Sequence, residues 1–265
     1  MSSLRFHTSW QLVFTIKYLT MNNNGGLGFT PQTSVNKTIY VEIKPDSLMV
    51  RRVGEQDSAR IIKADEEGNL EQGYRVRTLE MGPNKGTKVA EEIYNVLSKV
   101  QLVKAFSEEK FGQRRMILVF NNMLDDSPNI HVQCTLINDY NSVNGYASSL
   151  IDRIPNIKIG KTMDFSTWKM TDKNTGKDRR GITIYQENEK LQSAYYDYVK
   201  MERIGDKPSA KQVKKLGKET WDFTPVAEFQ LAKFEEFSKA LDDYWKNDDK
   251  VVAEVLVDEH TDLPF

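Results

Sequence analysis

The chain has 265 residues, 39% of them hydrophobic and 28% charged, which is enough apolar material for one cored domain with appendages. No apolar run approaches the roughly 18 residues of a membrane span, and the single cysteine, Cys134, excludes an intramolecular disulfide. The net charge of -1 hides an asymmetry: residues 222–265 hold twelve acids against four lysines, a net of -8, so the rest of the chain carries +7. A basic body with an acidic end points to an anionic partner for the body and a separate role for the end.

Residues 1–20 contain no acid and include the apolar run Leu12 to Ile16. A signal peptide is a poor match, because the run is short, Lys17 interrupts it and no small-residue cleavage site follows. Met21 then opens the polar, glycine-containing segment Asn22 to Gly28, so residues 1–36 are expected to be a flexible leader or an over-extended reading frame. Ile39, Val41 and Ile43 alternate with Tyr40, Glu42 and Lys44 as in a strand. Pro45 and Asp46 turn the chain and Leu48 to Val53 extends it. Ala64 to Gly73 reads as a surface loop, and Tyr74 to Met81 as a strand carrying Arg75 and Arg77. Gly82 to Lys88 fails as a phosphate loop, because Thr87 rather than lysine follows its second glycine. In Val89 to Leu97, Val89, Ile93 and Val96 or Leu97 share a side at helical spacing.

The organising stretch runs from Lys99 to Tyr185. Val100 to Phe106, Met116 to Phe120 and Ile130 to Leu136 alternate at period two, with Cys134 beside Val132 and Leu136 as a buried thiol. From Val143 to Ile154, Tyr146, Leu150 and Ile154 lie on one helical face, which stops at Pro155. Lys161 to Met170 and Arg180 to Gln186 return as strands around the polar loop Thr171 to Arg179. This order predicts a mostly β protein with some α: a five-stranded OB-type Greek-key barrel with extra N-terminal strands and a C-terminal helix. The barrel domain is assigned to residues 37–204, a basic linker to 205–223, an amphipathic helix to 224–247 and an acidic tail to 248–265. Thr224 as cap and Pro225 at the first helical position start that helix. Its stripe of Leu231, Phe234, Leu241 and Trp245 is expected to pack on the barrel, with a dimer contact as the alternative.

A catalytic centre is hard to assemble. His7, His131 and His260 fall in a leader, a strand and a tail, and no nucleophile elbow or zinc-protease motif occurs. The adjacent pairs Asp125, Asp126 and Asp248, Asp249 read as solvated turn charges, so no enzyme activity, metal or cofactor is expected. Binding a single strand instead needs cations that follow phosphates and flat rings on which bases stack. If Met163, Phe165, Ile182 and Ile184 point inward, Trp168 and Tyr185 share the outer face of one hairpin, whose loop carries Lys173, Lys177, Arg179 and Arg180, with Asn174 and Gly176 making the turn. Phe111, Arg114 and Arg115 sit at the start of the second strand, and Lys99 and Lys104 on the first. These eleven residues are the candidate DNA-contacting set.

Two stretches resemble the single-stranded DNA-binding proteins of bacteria and their phages. One is the barrel order with the segment IDRIPNIKIGKTMDF, which looks like the corresponding stretch of divergent phage members. The other is the acidic end closing on Asp262, Leu263, Pro264 and Phe265, similar to the family's terminal tip. The resemblance implies a non-enzymatic protein in a bacterial host's cytoplasm that coats single strands in replication, recombination and repair. Its tip, with Asp258, Glu259, Asp262, Leu263, Pro264 and Phe265, would recruit replication or recombination proteins, the acids steering the encounter and Phe265 entering an apolar pocket. Bacterial members form tetramers while phage relatives include monomers and dimers, so a second copy of the chain is one partner that the resemblance allows. Residues 21–98 and the helix after Thr224 depart from a minimal member. The alternatives are an RNA-binding or strand-annealing OB protein, or a nuclease or ligase accessory domain using Asp125 and Asp126.

Overall fold

Period-two apolar patterns become the strands of one large sheet in the computed structural model, which describes residues 38–247 apart from 111, 123–128, 139–141, 174 and 216–217. The leader, the acidic tail, Phe111, Asn174, Asp125 and Asp126 therefore lie outside the described residues. The N-terminal strands are β1 (Ile39–Ile43), β2 (Met49–Arg52), β3 (Tyr74–Thr78) and β4 (Lys88–Tyr94). There follow β5 (Val96–Lys110), β6 (Gln113–Asn122), β7 (Ile130–Thr135), β8 (Thr162–Thr171), β9 (Asp178–Gln186) and the short β10 (Glu189–Lys190). Their spatial order is β10-β9-β8-β5-β6-β7-β1-β2-β4-β3. Three α-helices accompany them among the described residues: α1 (Glu55–Glu66), α2 (Gly145–Ile151) and α3 (Thr224–Asn247). Two separate hairpins, β11 (Tyr196–Asp197) with β12 (Glu202–Arg203) and β13 (Lys211–Lys215) with β14 (Lys218–Asp222), lie between β10 and α3.

The hub is β5. It pairs with β6 from Val100 to Lys110 and with β8 from Val96 to Gln101, and register shifts between Leu97 and Val100 and between Leu102 and Lys104 bend it. At the first shift Lys99 takes a positive φ of 54°, and its N–H donates to Asp164 Oδ1 at 2.8 Å. Leu102, Ala105, Leu118, Phe120, Val132, Phe165 and Ile184 meet on the inner side, with the Phe120 and Phe165 rings 5.3 Å apart. These residues form the centre of the core, and Ile117 and Val119 on the other side of β6 are buried with them.

The described residues do not show the expected closed barrel. Among the described residues the sheet stays open, running from β10 to β3. The strand neighbours explain why: β1 lies parallel to β7, from Ile39 opposite Ile130 to Glu42 opposite Gln133, and so occupies that edge of β7. On the other side α2 lies along β9. Ser149 Oγ accepts from the Ile182 N–H at 2.9 Å and donates to the Ile182 carbonyl at 3.3 Å. A side chain thus satisfies an edge that another strand would otherwise pair.

The longest helix does the same for β5. Past Gln101, where pairing with β8 stops, Ser238 Oγ donates to the Ala105 carbonyl and Trp245 Nε1 to the Leu102 carbonyl at 3.2 Å. Phe234, Phe237, Leu241 and Trp245 enter the core, and Gln230 Nε2 reaches Ser148 Oγ at 2.7 Å and Asp152 Oδ1 at 2.9 Å on α2 and just past it. The helix begins at Thr224 itself. The Asp222 carboxylate, rather than the Thr224 hydroxyl, caps this end by accepting from the Thr224 N–H at 3.0 Å.

Other local expectations change too. Val89 to Leu97 forms β4 and the start of β5, because β2 and β3 pair with the two edges of β4 and both Val89 and Ala90, on its opposite faces, are buried. Helix α1 has only Ile61 fully buried among polar residues, so its sequence shows almost no apolar period; the loop expected from Ala64 starts inside it. Arg75 and Arg77 are not free cations. Both donate through Nε to the buried Glu91 carboxylate, at 2.7 and 2.6 Å, and Arg75 also reaches Asp46 at 2.6 Å.

Because Leu241 is fully buried where α3 meets the sheet, Leu241→Ala is expected to cost about 2–5 kcal/mol in urea unfolding. An unchanged midpoint would show that this helix does not hold the core together.

Candidate nucleic-acid interface

Two antiparallel strands fix which side chains share a face, and the β8–β9 register places Asp164 opposite Tyr185, Ser166 opposite Thr183, Trp168 opposite Gly181 and Met170 opposite Arg179. These four pairs point away from Phe165 and Ile184, which are fully buried on the other side. Tyr185 is 42% exposed and Met170 55% exposed, while Trp168 is half-buried. Trp168 packs closely over Gly181: a Cβ there would stand 2.5 Å from Trp168 Cζ2 and 2.8 Å from Ser149 Oγ. The strip from Tyr185 to Arg179 spans six residue steps, about 20 Å at strand rise.

The loop closing this hairpin turns at Gly176, whose φ is 66° and whose N–H donates to the Asp172 carbonyl at 2.8 Å. Its cations separate into two groups. Arg179 projects on the Trp168 side, paired with Asp172 at 2.7 Å but still largely exposed. Arg180 projects on the opposite side with Lys169, and both approach Asp178, at 3.9 and 2.9 Å. Lys173 and Lys177 are exposed and form no ion pair among the described residues.

The first two strands of the predicted unit also divide. Arg114 points toward α3, where it donates to Ser107 Oγ at 3.2 Å and to Glu235 Oε1 at 3.1 Å, so it joins helix to sheet rather than facing outward. Arg115 lies on the outer face, opposite Glu108 in register and 3.4 Å from Gln133 Oε1. Lys104 is on the same outer face, with its Nζ 5.4 Å from the Phe106 ring centroid. One row of that face reads Tyr40, His131, Val119, Lys104 across four strands, with Val119 fully buried at its middle, and the Tyr40 and His131 rings meet edge to face at 5.2 Å. Tyr40, Phe106 and His131 join this patch without having been singled out from the sequence. The signal available was the alternation of Tyr40 with Ile39 and Val41, and the position of Phe106 two residues past Lys104. Lys99 is exposed at the bulge between these regions.

His131 is mostly buried, and that burial, with Lys104 nearby, pulls its pKa down to about 4 from 6.5. It stands in this patch as a neutral ring at pH 7. Burial likewise pushes the Cys134 thiol up to about 12, which removes it as a nucleophile near neutral pH. Among the described residues no group of three or more His, Cys, Asp or Glu side chains is placed to hold a metal, and no helix is long and apolar enough to cross a membrane. The two shallow surface cavities lie elsewhere, one between Phe106 and α3 and the other beside the Thr78–Met81 turn. No family model, curated protein or solved structure matches the chain.

The His131 shift has a pH consequence. An unfolded His131 takes up its proton near pH 6.5, whereas the folded one resists until about 4, so the fold loses stability as pH falls through that window. In urea unfolding at pH 7.5 and pH 5, His131→Gln is expected to lose less stability between the two than the parent. Equal losses would mean that His131 does not contribute to acid sensitivity.

Proposed function

We propose that this chain binds single-stranded DNA without strong sequence preference and coats exposed strands during replication, recombination and repair. The reading is carried by one observation: a single hairpin face presents Trp168 and Tyr185 together with Arg179, at the end of which Lys173 and Lys177 form no ion pair among the described residues. Base stacking on such rings is worth about 1–3 kcal/mol per base, and lysines near phosphates add a salt-dependent term. In this reading β5 to β9 with α2 is an OB-type unit, supported by the order strand, strand, strand, helix, strand, strand and by the pairing of β5 with both β6 and β8. The unit is left open because α2 and β1 take the positions a closing pair of strands would need. Its role is that of a non-enzymatic binder.

The acidic end completes the proposal. Asp258, Glu259 and Asp262 draw in a basic partner, and Leu263, Pro264 and Phe265 dock in an apolar pocket on replication or recombination proteins.

The test is a titration of fluorescein-labelled oligo(dT) across salt concentrations, with and without magnesium. A steep decline of affinity with salt and an intact oligonucleotide are expected. Trp168→Ala and Tyr185→Ala are each expected to weaken binding about 5- to 150-fold, and Lys173→Glu with Lys177→Glu to flatten the salt slope. Unchanged affinity in both ring variants would assign those rings to packing alone, and magnesium-dependent cleavage would replace the binder by a nuclease.

Removing residues 262–265 should leave oligo(dT) affinity equal or raised while abolishing capture of replication proteins in a pull-down from host extract. Loss of DNA binding on that deletion would contradict the assignment of the tip.

A further inference from the structure

The segment expected to be a basic linker, residues 205–223, is in fact built. Lys211 to Lys215 pairs with Lys218 to Asp222 in a regular antiparallel ribbon, from Lys211 opposite Asp222 to Lys215 opposite Lys218. One face carries Gln212 with Trp221 and Lys214 with Glu219, and Gln212 Nε2 donates to Glu219 Oε2 at 2.8 Å. The other face carries Lys211, Val213, Thr220 and Lys218. Trp221 is 58% exposed and Phe223, at the ribbon's foot, 45% exposed. The contrast with the other described tryptophans is plain, since Trp245 is buried and hydrogen-bonded and Trp168 lies on Gly181.

A two-stranded ribbon has no core of its own in which to place an indole. The ring on this ribbon meets no other ring among the described residues. Lys214 shares its face, Lys211 and Lys218 stand exposed on the other face of the same ribbon, and of the nearby acids Glu219 is held by Gln212 while Asp222 is engaged with the start of α3. The root of the ribbon is fastened close to the hairpin face described above. Lys207 Nζ pairs with Asp152 at 2.6 Å, three residues beyond Ser149, the residue that holds the β9 edge beside Gly181 and Trp168.

We infer that the β13–β14 ribbon is a second contact arm for single-stranded nucleic acid, with Trp221 as a stacking platform and Lys211, Lys214 and Lys218 as phosphate contacts. This rests on the proposed function, because the same strand occupies both elements. Charge selects the occupant. A polyanion with flat bases complements an open indole with Lys214 on its face and lysines on the reverse face that a flexible backbone reaches by crossing the ribbon's edge, whereas a second copy meeting the ribbon across a two-fold axis would set lysine against lysine. A strand that runs past the β8–β9 face onto the ribbon gains contacts in proportion to its length, so the arm adds affinity only for longer strands.

Oligo(dT) of about 8 and about 25 nucleotides, lengths within and beyond the reach of one OB unit, separate the two elements. Trp221→Ala is expected to leave the short oligonucleotide bound within about twofold and to weaken the long one about tenfold, with Trp221→Phe restoring most of the loss. Lys211→Glu, Lys214→Glu and Lys218→Glu together should flatten the salt slope for the long oligonucleotide only. Parent-like binding of both lengths by the Trp221→Ala variant overturns the arm, while the Trp168→Ala titration independently decides the hairpin face. A change in oligomeric state on sedimentation of Trp221→Ala, with DNA affinity unaltered, also overturns it and gives the ribbon to a second copy of the chain.

Discussion

Unpaired strand edges are the constraint on which this fold depends. A sheet that curls around a core without closing leaves main-chain N–H and C=O groups facing nothing, each costing on the order of a hydrogen bond when buried. Here side chains of two helices supply the missing partners. Ser149 meets both the N–H and the carbonyl of Ile182, while Ser238 and Trp245 donate to the Ala105 and Leu102 carbonyls of β5. Gln230 then links α3 to Ser148 on α2 and to Asp152 beyond it, so the two covers brace each other. The helices act as substitutes for strands, and the long C-terminal helix is part of the core.

That arrangement also determines what remains free on the outside. Along β8 and β9 the side of Phe165, Ile182 and Ile184 is buried in the core, so the face of Trp168, Arg179 and Tyr185 is turned away from it, and only toward the loop does the other side, with Lys169 and Asp178, reach solvent. A strand places neighbouring residues on opposite faces, so Arg179 and Arg180 part company although they are adjacent. Arg114 and Arg115 separate in the same way: Arg114 is drawn to Glu235 on α3 and Arg115 remains on the outer face. Charges that look equivalent along the chain therefore divide into structural and available ones. Arg75 and Arg77 are a further pair of the first kind, held by a single buried carboxylate.

The strand order from β5 to β9 and the position of α2 were legible in the sequence, because each element there has a clean period: two for the strands, close to four for the helix. The shared face of Trp168 and Tyr185 was legible too, since parity within a strand follows from counting once Phe165 and Ile184 are taken as core. Helix α1 was not, as a helix that buries little besides Ile61 has almost no apolar stripe to find. The β13–β14 ribbon was hidden by its lysines, which read as a solvated linker although alternate positions pair across it in register.

By itself the sequence determined the local periods, the uneven charge and the acidic aromatic end, all of which follow from side-chain chemistry at short range. Only the tertiary structure decided that the sheet stays open, which arginines are spent on Glu91 and Glu235, and that a tryptophan stands exposed on a basic ribbon. Those outcomes depend on residues far apart in the chain competing for the same edge or the same counter-charge, as β1 and α2 do at the margins of the sheet, and no local pattern records who wins.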